Sequence, residues 1–357
     1  MAYQLIRGDA TSLPLADDSA DAVITSPPYY GLRSYTDGGE HYDGQIGSEA
    51  TPQAFLEAMW GWTAECRRVL KPSGSMWVNL GDSYSRGSRT TVDGTTDKRR
   101  QGDTRVPPCR GIPAKSLMGL PWRYAIGCID QLDLILRAEV IWSKPNGLPE
   151  SVTDRVRRSH EQWFHFTKQP RYFSAVDEVR EAYSPGTAER YKSGYNPSAR
   201  ALAGATSSGV LRSTGAGDGG PTQTNPLGKL PGSVWTVPTE PLKVPASLGV
   251  DHFAAFPSEW PRRIILGWSP SGVCVACGEG RRPVVAKESC GRSRVGTGAT
   301  DPSWRAINRN EWAEGVTTTI TDYACACPDT TAPTTPAVVL DPFCGTGTTP
   351  AVAHALG

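Results

Sequence analysis

Apolar positions along this chain of 357 residues follow two rhythms. Short continuous apolar runs suit buried strands, and longer stretches carry apolar residues at helical spacing. Tyr3 to Arg7 alternates enough to predict a strand, with Gly8-Asp9-Ala10 at its end. Asp21 to Thr25 predicts a short buried strand, followed at once by Ser26-Pro27-Pro28-Tyr29-Tyr30. Thr51 suits a helix N-cap and Pro52 the first helical position. Phe55, Met59, Trp62, Cys66 and Val69 then recur on one helical face, and Arg67, Arg68 and Lys71 complement the negative end of the helix dipole. Pro72-Ser73-Gly74 predicts a stop, and Ser75 to Leu80 a buried strand ending in Gly81-Asp82. Strand, loop, helix and strand in that order are the repeating unit of a parallel sheet.

Further on, Pro121-Trp122-Arg123 predicts a helix start that runs through Ile126 and Ile129, and Leu134 to Trp142 a long strand. Gln162 to Thr167 and Arg171 to Phe173 are aromatic runs around Lys168-Gln169-Pro170, which predicts a hairpin. Val234 to Val237 predicts a strand, and Ser258 caps a predicted helix burying Ile264, Ile265 and Trp268. Ala337 to Asp341 predicts a fully buried strand, leading through Pro342-Phe343-Cys344-Gly345-Thr346-Gly347-Thr348-Thr349 into an Ala-rich helix. The fold class is α/β, with a mostly parallel sheet.

Periodicity fails in two places. Residues 85–114 carry Arg86, Arg89, Lys98, Arg99, Arg100, Arg105 and Arg110 in a Gly/Thr/Ser background. Such a loop is either simply solvated or orders on a phosphate backbone. Residues 184–232, rich in Gly, Ser, Thr and Ala, read as a linker or a substrate-facing insertion. A composition 38% hydrophobic excludes wholesale disorder, and a net charge of +1 excludes a globally basic coat. A polyanion would have to be met by local patches. No apolar run reaches the ~18 residues of a membrane span, and no signal peptide precedes the first predicted strand. Nine cysteines, an odd number without a secreted framework, suit a reducing cytosol, with metal binding open to close pairs.

Cys274-x-x-Cys277 and Cys325-x-Cys327 bracket a polar stretch. Two close thiolate pairs can form a structural tetrahedral zinc site; the alternative is two unrelated pairs of thiols. No His or carboxylate beside them supplies an open catalytic position. Cys66, Cys128 and Cys344 read as small buried residues.

Two turns carry the candidate chemistry. Pro27 and Pro28 end a strand, because proline lacks an N–H and fixes φ, and the turn then presents a hydroxyl, carbonyls and aromatic rings at a sheet edge. Gly345-x-Gly347 lies between a strand and a helix, where a ligand can approach the backbone and meet free N–H groups. It lacks the lysine of a phosphate-binding P-loop and the third glycine of a dinucleotide fold. Asp341 and Phe343 beside it suit a nucleoside with a charged, non-phosphate tail.

Asp341-Pro-Phe-Cys-Gly-Thr-Gly-Thr-Thr resembles the S-adenosylmethionine-binding motif of DNA amino-methyltransferases, and Thr25-Ser-Pro-Pro-Tyr resembles their catalytic motif. The catalytic motif comes first, which is the order of the beta class. Gly8-Asp9 resembles the adenine-side motif. Residues 75–82, residues 142–173 and His252-Phe-Ala-Ala-Phe-Pro follow in the family's order, so the resemblance spans most of the chain outside residues 85–114, 184–232 and 270–335.

The resemblance implies a Rossmann-like methyltransferase domain with helices on both faces of its sheet. Its catalytic part is residues 1–84 and 115–183 and its cofactor-binding part 233–269 and 336–357, with 85–114 a basic flexible insertion, 184–232 a target-recognition region and 270–335 a cysteine-bearing insertion that could bind zinc. It implies that Ser26, Pro27, Pro28 and Tyr29 hold a base flipped from double-stranded DNA. Asp9, Ala10, Asp341, Phe343, Cys344, Gly345, Gly347, Thr348 and Thr349 would bind S-adenosylmethionine. Ser at the first motif position points to the N4 amine of cytosine; N6 of adenine is the alternative target. A cognate restriction endonuclease is the partner such enzymes accompany. The family continues past its cofactor helix into a strand whose acid holds the ribose, whereas this sequence stops at Gly357. That leaves a truncated chain, one completed by another chain, one weak in cofactor binding, or a DNA-binding relic without catalysis as expectations.

Overall fold

The computed structural model describes residues 3–31, 36–37, 40–41, 44–85, 112–147, 149–186, 225, 227–240, 256–289, 316–329 and 331–357. Most of the basic 85–114 segment, most of 184–232 and residues 252–255 lie outside them.

The chain divides into two compact units. The first comprises residues 1–175, 232–281 and 327–357, and the second 176–231 and 282–326. The first unit is built on β1 (Ala20–Thr25), a short hairpin of β2 (Thr36–Asp37) and β3 (Glu40–His41), α1 (Pro52–Val69), β4 (Leu70–Leu80), α2 (Leu120–Leu132), β5 (Ile135–Ser143), β6 (His160–Thr167), β7 (Val234–Thr236), α3 (Glu259–Trp268) and β8 (Val273–Cys274). The second unit holds β9 (Arg282–Ser289) and β10 (Val316–Ala324), paired antiparallel. The chain then returns to the first unit with β11 (Thr334–Thr335), β12 (Val339–Leu340) and α4 (Thr348–Leu356).

Six strands form one sheet in the order β12-β1-β4-β6-β5-β7. β1 pairs parallel with β12 and β4, and β5 pairs parallel with β7. β6 runs antiparallel to both of its neighbours. Five strands therefore share one direction, and their C-terminal ends gather at a single edge.

The period of two along the central strands explains the layering. Met76, Val78 and Leu80 of β4 and Phe164 and Phe166 of β6 join the core that includes Phe55, Met59, Trp62 and Cys66 of α1 and Tyr124, Ala125 and Cys128 of α2. On the alternate positions, Trp77, Trp163 and His165 meet the aromatic residues of α3. Trp163 stacks on Trp260 at 4.9 Å, and Trp77 lies 4.7 Å from Trp268. Trp235 of β7 stacks on Trp260 from the sheet edge, also at 4.9 Å.

α1 has the predicted start, with the Thr51 hydroxyl accepting the Ala54 N–H at 3.1 Å. Ser258 does not cap α3 with its side chain. Its hydroxyl and N–H instead bond the Glu240 carboxylate at 3.0 and 3.1 Å.

Four strand predictions differ from the structure. Residues 3–7 form no strand: Leu5 is 68% exposed, and the place beside β1 is taken by β12. β4 begins at Leu70 and runs through Pro72-Ser73-Gly74, five residues ahead of the predicted Ser75. Residues 171–173 do not pair with 162–167, because both edges of β6 are already occupied by β4 and β5. The predicted strand at 337–341 shortens to the two residues of β12, partly exposed at the sheet's edge, with neighbouring Val338 42% exposed.

The edge is fastened electrostatically. The Asp21 carboxylate takes both bonds from the Lys71 ammonium at 2.8 Å and also accepts the Val338 N–H at 2.8 Å, tying β4, β1 and the approach to β12.

Candidate active site

The two candidate turns lie at the edge where the parallel strands end. β1 delivers Thr25 and then Ser26-Pro27-Pro28-Tyr29. β12 delivers Asp341 and the glycine turn. β4 delivers Asn79 and Gly81, β5 delivers Lys144, and antiparallel β6 begins there with His160 and Glu161. Parallel pairing of Ala22 with Val339 and Val23 with Leu340 sets the two motifs side by side despite more than 300 intervening residues.

They are joined directly. The Thr25 hydroxyl donates to Asp341 Oδ1 at 2.7 Å. Asp341 also accepts the Phe343 N–H at 3.1 Å and, on Oδ2, the Thr349 hydroxyl at 2.7 Å. None of these partners is cationic. Burial outweighs the three neutral donors and pushes the Asp341 carboxyl up to about 6 from 3.8.

Ser26 follows directly on the strand. Its hydroxyl donates to Asn79 Oδ1 at 3.3 Å, and the Tyr29 hydroxyl lies 2.8 Å from the same oxygen. Asn79 is itself oriented, because its Nδ2 donates to the Gln162 carbonyl at 3.1 Å. Pro27 is buried, and Pro28 and Tyr29 are half-buried. Tyr30 is fully buried against Phe55, so the second tyrosine of the turn is a core residue.

On the other side, Gly345 and Gly347 adopt φ of +53° and +87°, a left-handed geometry that glycine tolerates and that aims the chain into α4. α4 starts without a side-chain cap, leaving its first N–H groups facing the turn. Thr348 opens α4, and Thr349 is buried and turned toward Asp341. Phe343 packs edge-on against Trp62 at 5.1 Å. Ala10 packs against the same core. Asp9 is exposed, its carboxylate held by the Thr11 N–H and hydroxyl at 2.8 Å each; those bonds lower its pKa below 3.8. Burial pushes the Cys344 thiol up to about 11, so it stays protonated near neutrality.

The donor set fits S-adenosylmethionine. A part-buried carboxylate whose three bonded partners are neutral complements an ammonium group, and a glycine turn ahead of uncapped N–H groups complements a carboxylate.

The four candidate zinc thiols fall on two units. Cys274, Cys277 and Cys327 belong to the first, and Cys325 to the second. Cys274 is buried and Cys277 exposed, within a tight turn closed by Gly278 N–H to the Cys274 carbonyl at 2.8 Å. No described cysteine forms a disulfide.

Sequence reading missed Asn79, Glu161 and Lys144. Asn79 had a visible signal: it is the one amide inside the run Met76-Trp77-Val78-Asn79-Leu80. Glu161 and Lys144 had none, because only the antiparallel placement of β6 between β4 and β5 brings them to the edge. Asp82 is also engaged here; its carboxylate accepts the Gly119 and Leu120 N–H groups at 2.9 and 3.1 Å and so caps α2 from outside.

Comparison with known proteins places these observations. The DNA methylase family model N6_N4_Mtase matches residues 20–286. The Type II methyltransferase M.SmaI of Serratia marcescens is 33% identical over 291 residues, covering 80% of this chain and 82% of that protein. The Type II methyltransferases M.XycI of Xanthomonas campestris pv. cyanopsidis and M.Cfr9I of Citrobacter freundii are 39% and 36% identical over 204 residues. Each of those two alignments covers 56% of this chain and 66% of the relative, just under two thirds of its length.

Proposed function

This chain belongs to the N6/N4 DNA methylase family, and from that premise we propose that it methylates the exocyclic N4 of a cytosine flipped out of double-stranded DNA, with S-adenosylmethionine as donor. The observation that carries the reading is the hydrogen bond between Thr25 and Asp341 at 2.7 Å, which fixes the Ser26-Pro27-Pro28-Tyr29 turn against the glycine turn. A site for a base and a site for a charged nucleoside thereby share one edge.

The chemistry asks for little else. An exocyclic amine is a weak nucleophile because its lone pair is spread into the ring. Asn79 Oδ1 accepts the hydrogen bond of the Ser26 hydroxyl, which leaves the Ser26 oxygen lone pairs as acceptors for an amine hydrogen. With a carbonyl of the Pro-Pro turn as second acceptor, the nitrogen is held with its lone pair turned out of the ring plane. Bound S-adenosylmethionine supplies an electrophilic methyl group on a sulfonium. Asp341, Phe343 and the turn at 345–349 hold that cofactor, with Asp9 and Ala10 on its adenine side. Positioning then contributes much of the rate, and the half-buried Tyr29 ring stacks on the extruded base. The protonated Cys344 takes no part as a nucleophile.

Residues 184–232 read the target sequence and the basic 85–114 segment tracks the phosphates in this proposal. Cys274 and Cys277 are thiols for a structural zinc ion; the tight turn from Cys274 to Gly278, which presents both from one loop, supports this. A cognate restriction endonuclease is the partner the reading implies. Tritium transfer from labelled S-adenosylmethionine to duplex DNA from a methylation-free host tests it. Label in acid-insoluble DNA that falls at least tenfold in Ser26→Ala supports the proposal. Equal label with and without the Ser26 hydroxyl would overturn it.

A further inference from the structure

Tyr29 is the ring assigned to the flipped base, and residues at the ends of two other strands, β6 and β4, bear on where that ring lies. The hydroxyl sits 2.8 Å from Glu161 Oε2 at the start of β6. The other oxygen of Glu161 is paired with the Lys144 ammonium at the end of β5. Lys144 in turn rests over the Trp142 ring, 4.1 Å from its centroid. Below the ring lies Gly81, where a Cβ would stand 2.7 Å from Tyr29 Cε2 and 3.1 Å from Cδ2. Both members of the ion pair are largely buried, 19% and 18% exposed for Lys144 and Glu161, so water competes weakly for their bonds.

We propose that Glu161, backed by Lys144, is a positioning residue that sets the Tyr29 ring against the bare backbone of Gly81 for base stacking. This rests on the methyltransferase reading of the same site. A phenol has one proton, and Tyr29 has two acceptors at 2.8 Å, Glu161 Oε2 and Asn79 Oδ1. The charged carboxylate is the stronger acceptor. By accepting the hydrogen bond of the Tyr29 hydroxyl, Glu161 leaves Asn79 Oδ1 to the Ser26 hydroxyl. One ion pair at the far side of the site therefore fixes the stacking ring and keeps the amine-accepting serine oriented.

The test is a double-mutant cycle in single-turnover methyl transfer to duplex DNA. Glu161→Ala should slow transfer on the order of 10- to 100-fold, the range for a lost hydrogen bond to a charged group. Tyr29→Phe should slow it similarly, and the double variant should be no slower than the worse single one. Glu161→Gln, which keeps an acceptor, should recover most of the rate, and KM for DNA should change less than kcat. Multiplying effects of Glu161→Ala and Tyr29→Phe, or an unchanged rate in Glu161→Ala, overturn the proposal while leaving the methyltransferase reading intact. A wild-type chain that transfers no label overturns both.

A second readout needs no activity. Gly81→Ala should lower the melting temperature when Tyr29 is present and lower it much less in a Tyr29→Ala background, where the clash is gone. Equal losses in both backgrounds would show that the ring does not lie on Gly81.

Discussion

Asp341→Asn isolates the group on which both halves of the site converge. In the folded chain, burial raises the Asp341 carboxyl from 3.8 to about 6. The fold therefore holds this proton more tightly than the unfolded chain does. Stability from neutral Asp341 is complete below about pH 3.8 and is lost as pH rises to about 6. At roughly 1.4 kcal/mol per pK step, the loss by pH 7 is about 3 kcal/mol. Asparagine cannot titrate. Its oxygen can still accept from the Thr25 hydroxyl and the Phe343 N–H, and its amide can donate to the Thr349 hydroxyl in place of the present bond.

The stability of Asp341→Asn relative to wild type should therefore rise by about 3 kcal/mol between pH 4 and pH 7 and then level off. Urea unfolding followed by tryptophan fluorescence reads this, since Trp62, Trp77, Trp163 and Trp260 are all buried in the same unit as Asp341. A difference that stays flat with pH, or falls, would refute the reasoning, because Asp341 would then carry no burial penalty. The same carboxylate should favour a bound cation, so S-adenosylmethionine should relieve the penalty above pH 6 in wild type and not in the variant.

Other groups give sharper single tests. His165 is buried, stacked on Trp77 at 4.4 Å and bonded to the Ser75 hydroxyl at 3.0 Å; burial lowers its pKa to about 3. For a base depressed in this way, stability is lost as pH falls below about 6.5, and His165→Gln should move the acid-unfolding midpoint to lower pH. Asp21→Asn should cost about 2 kcal/mol, less than a fully buried pair because Lys71 keeps some contact with water. Faster amide exchange at Val338 would report it, and unchanged exchange would count against the tie between β1 and β12. Elemental analysis should find about one zinc per chain, lost in a Cys274→Ser, Cys277→Ser double variant; full retention there would reject the zinc assignment.

The legible parts of the fold were those governed by local rules. The stripe from Phe55 to Val69 gave α1, with its Thr51 cap, and the apolar run ending in two prolines gave β1. The meeting of the Ser26 and Asp341 turns was also legible, because both follow strands that point the same way. What stayed hidden depended on strand order. The stretch from Tyr3 to Arg7 alternates like a strand but has no ladder to join. Residues 171–173 have strand composition, yet β6 offers them no free edge. The same topology hid Glu161 and Lys144, whose roles come from β6 running against its neighbours. Asp341 was read as facing a ligand; in the structure its oxygens first bind Thr25, Thr349 and Phe343 and hold the two turns together.

The most direct measurement is the identity of the modified base. Duplex DNA from a methylation-free host, incubated with the chain and methyl-deuterated S-adenosylmethionine, is digested to nucleosides and analysed by mass spectrometry. The account predicts deuterated N4-methylcytosine. Deuterated N6-methyladenine would keep the chain among the amino-methyltransferases and overturn the choice of cytosine. Deuterium on cytosine C5, or on no base at all, would contradict the claim that Ser26 and Asp341 bring an exocyclic amine to a methyl donor.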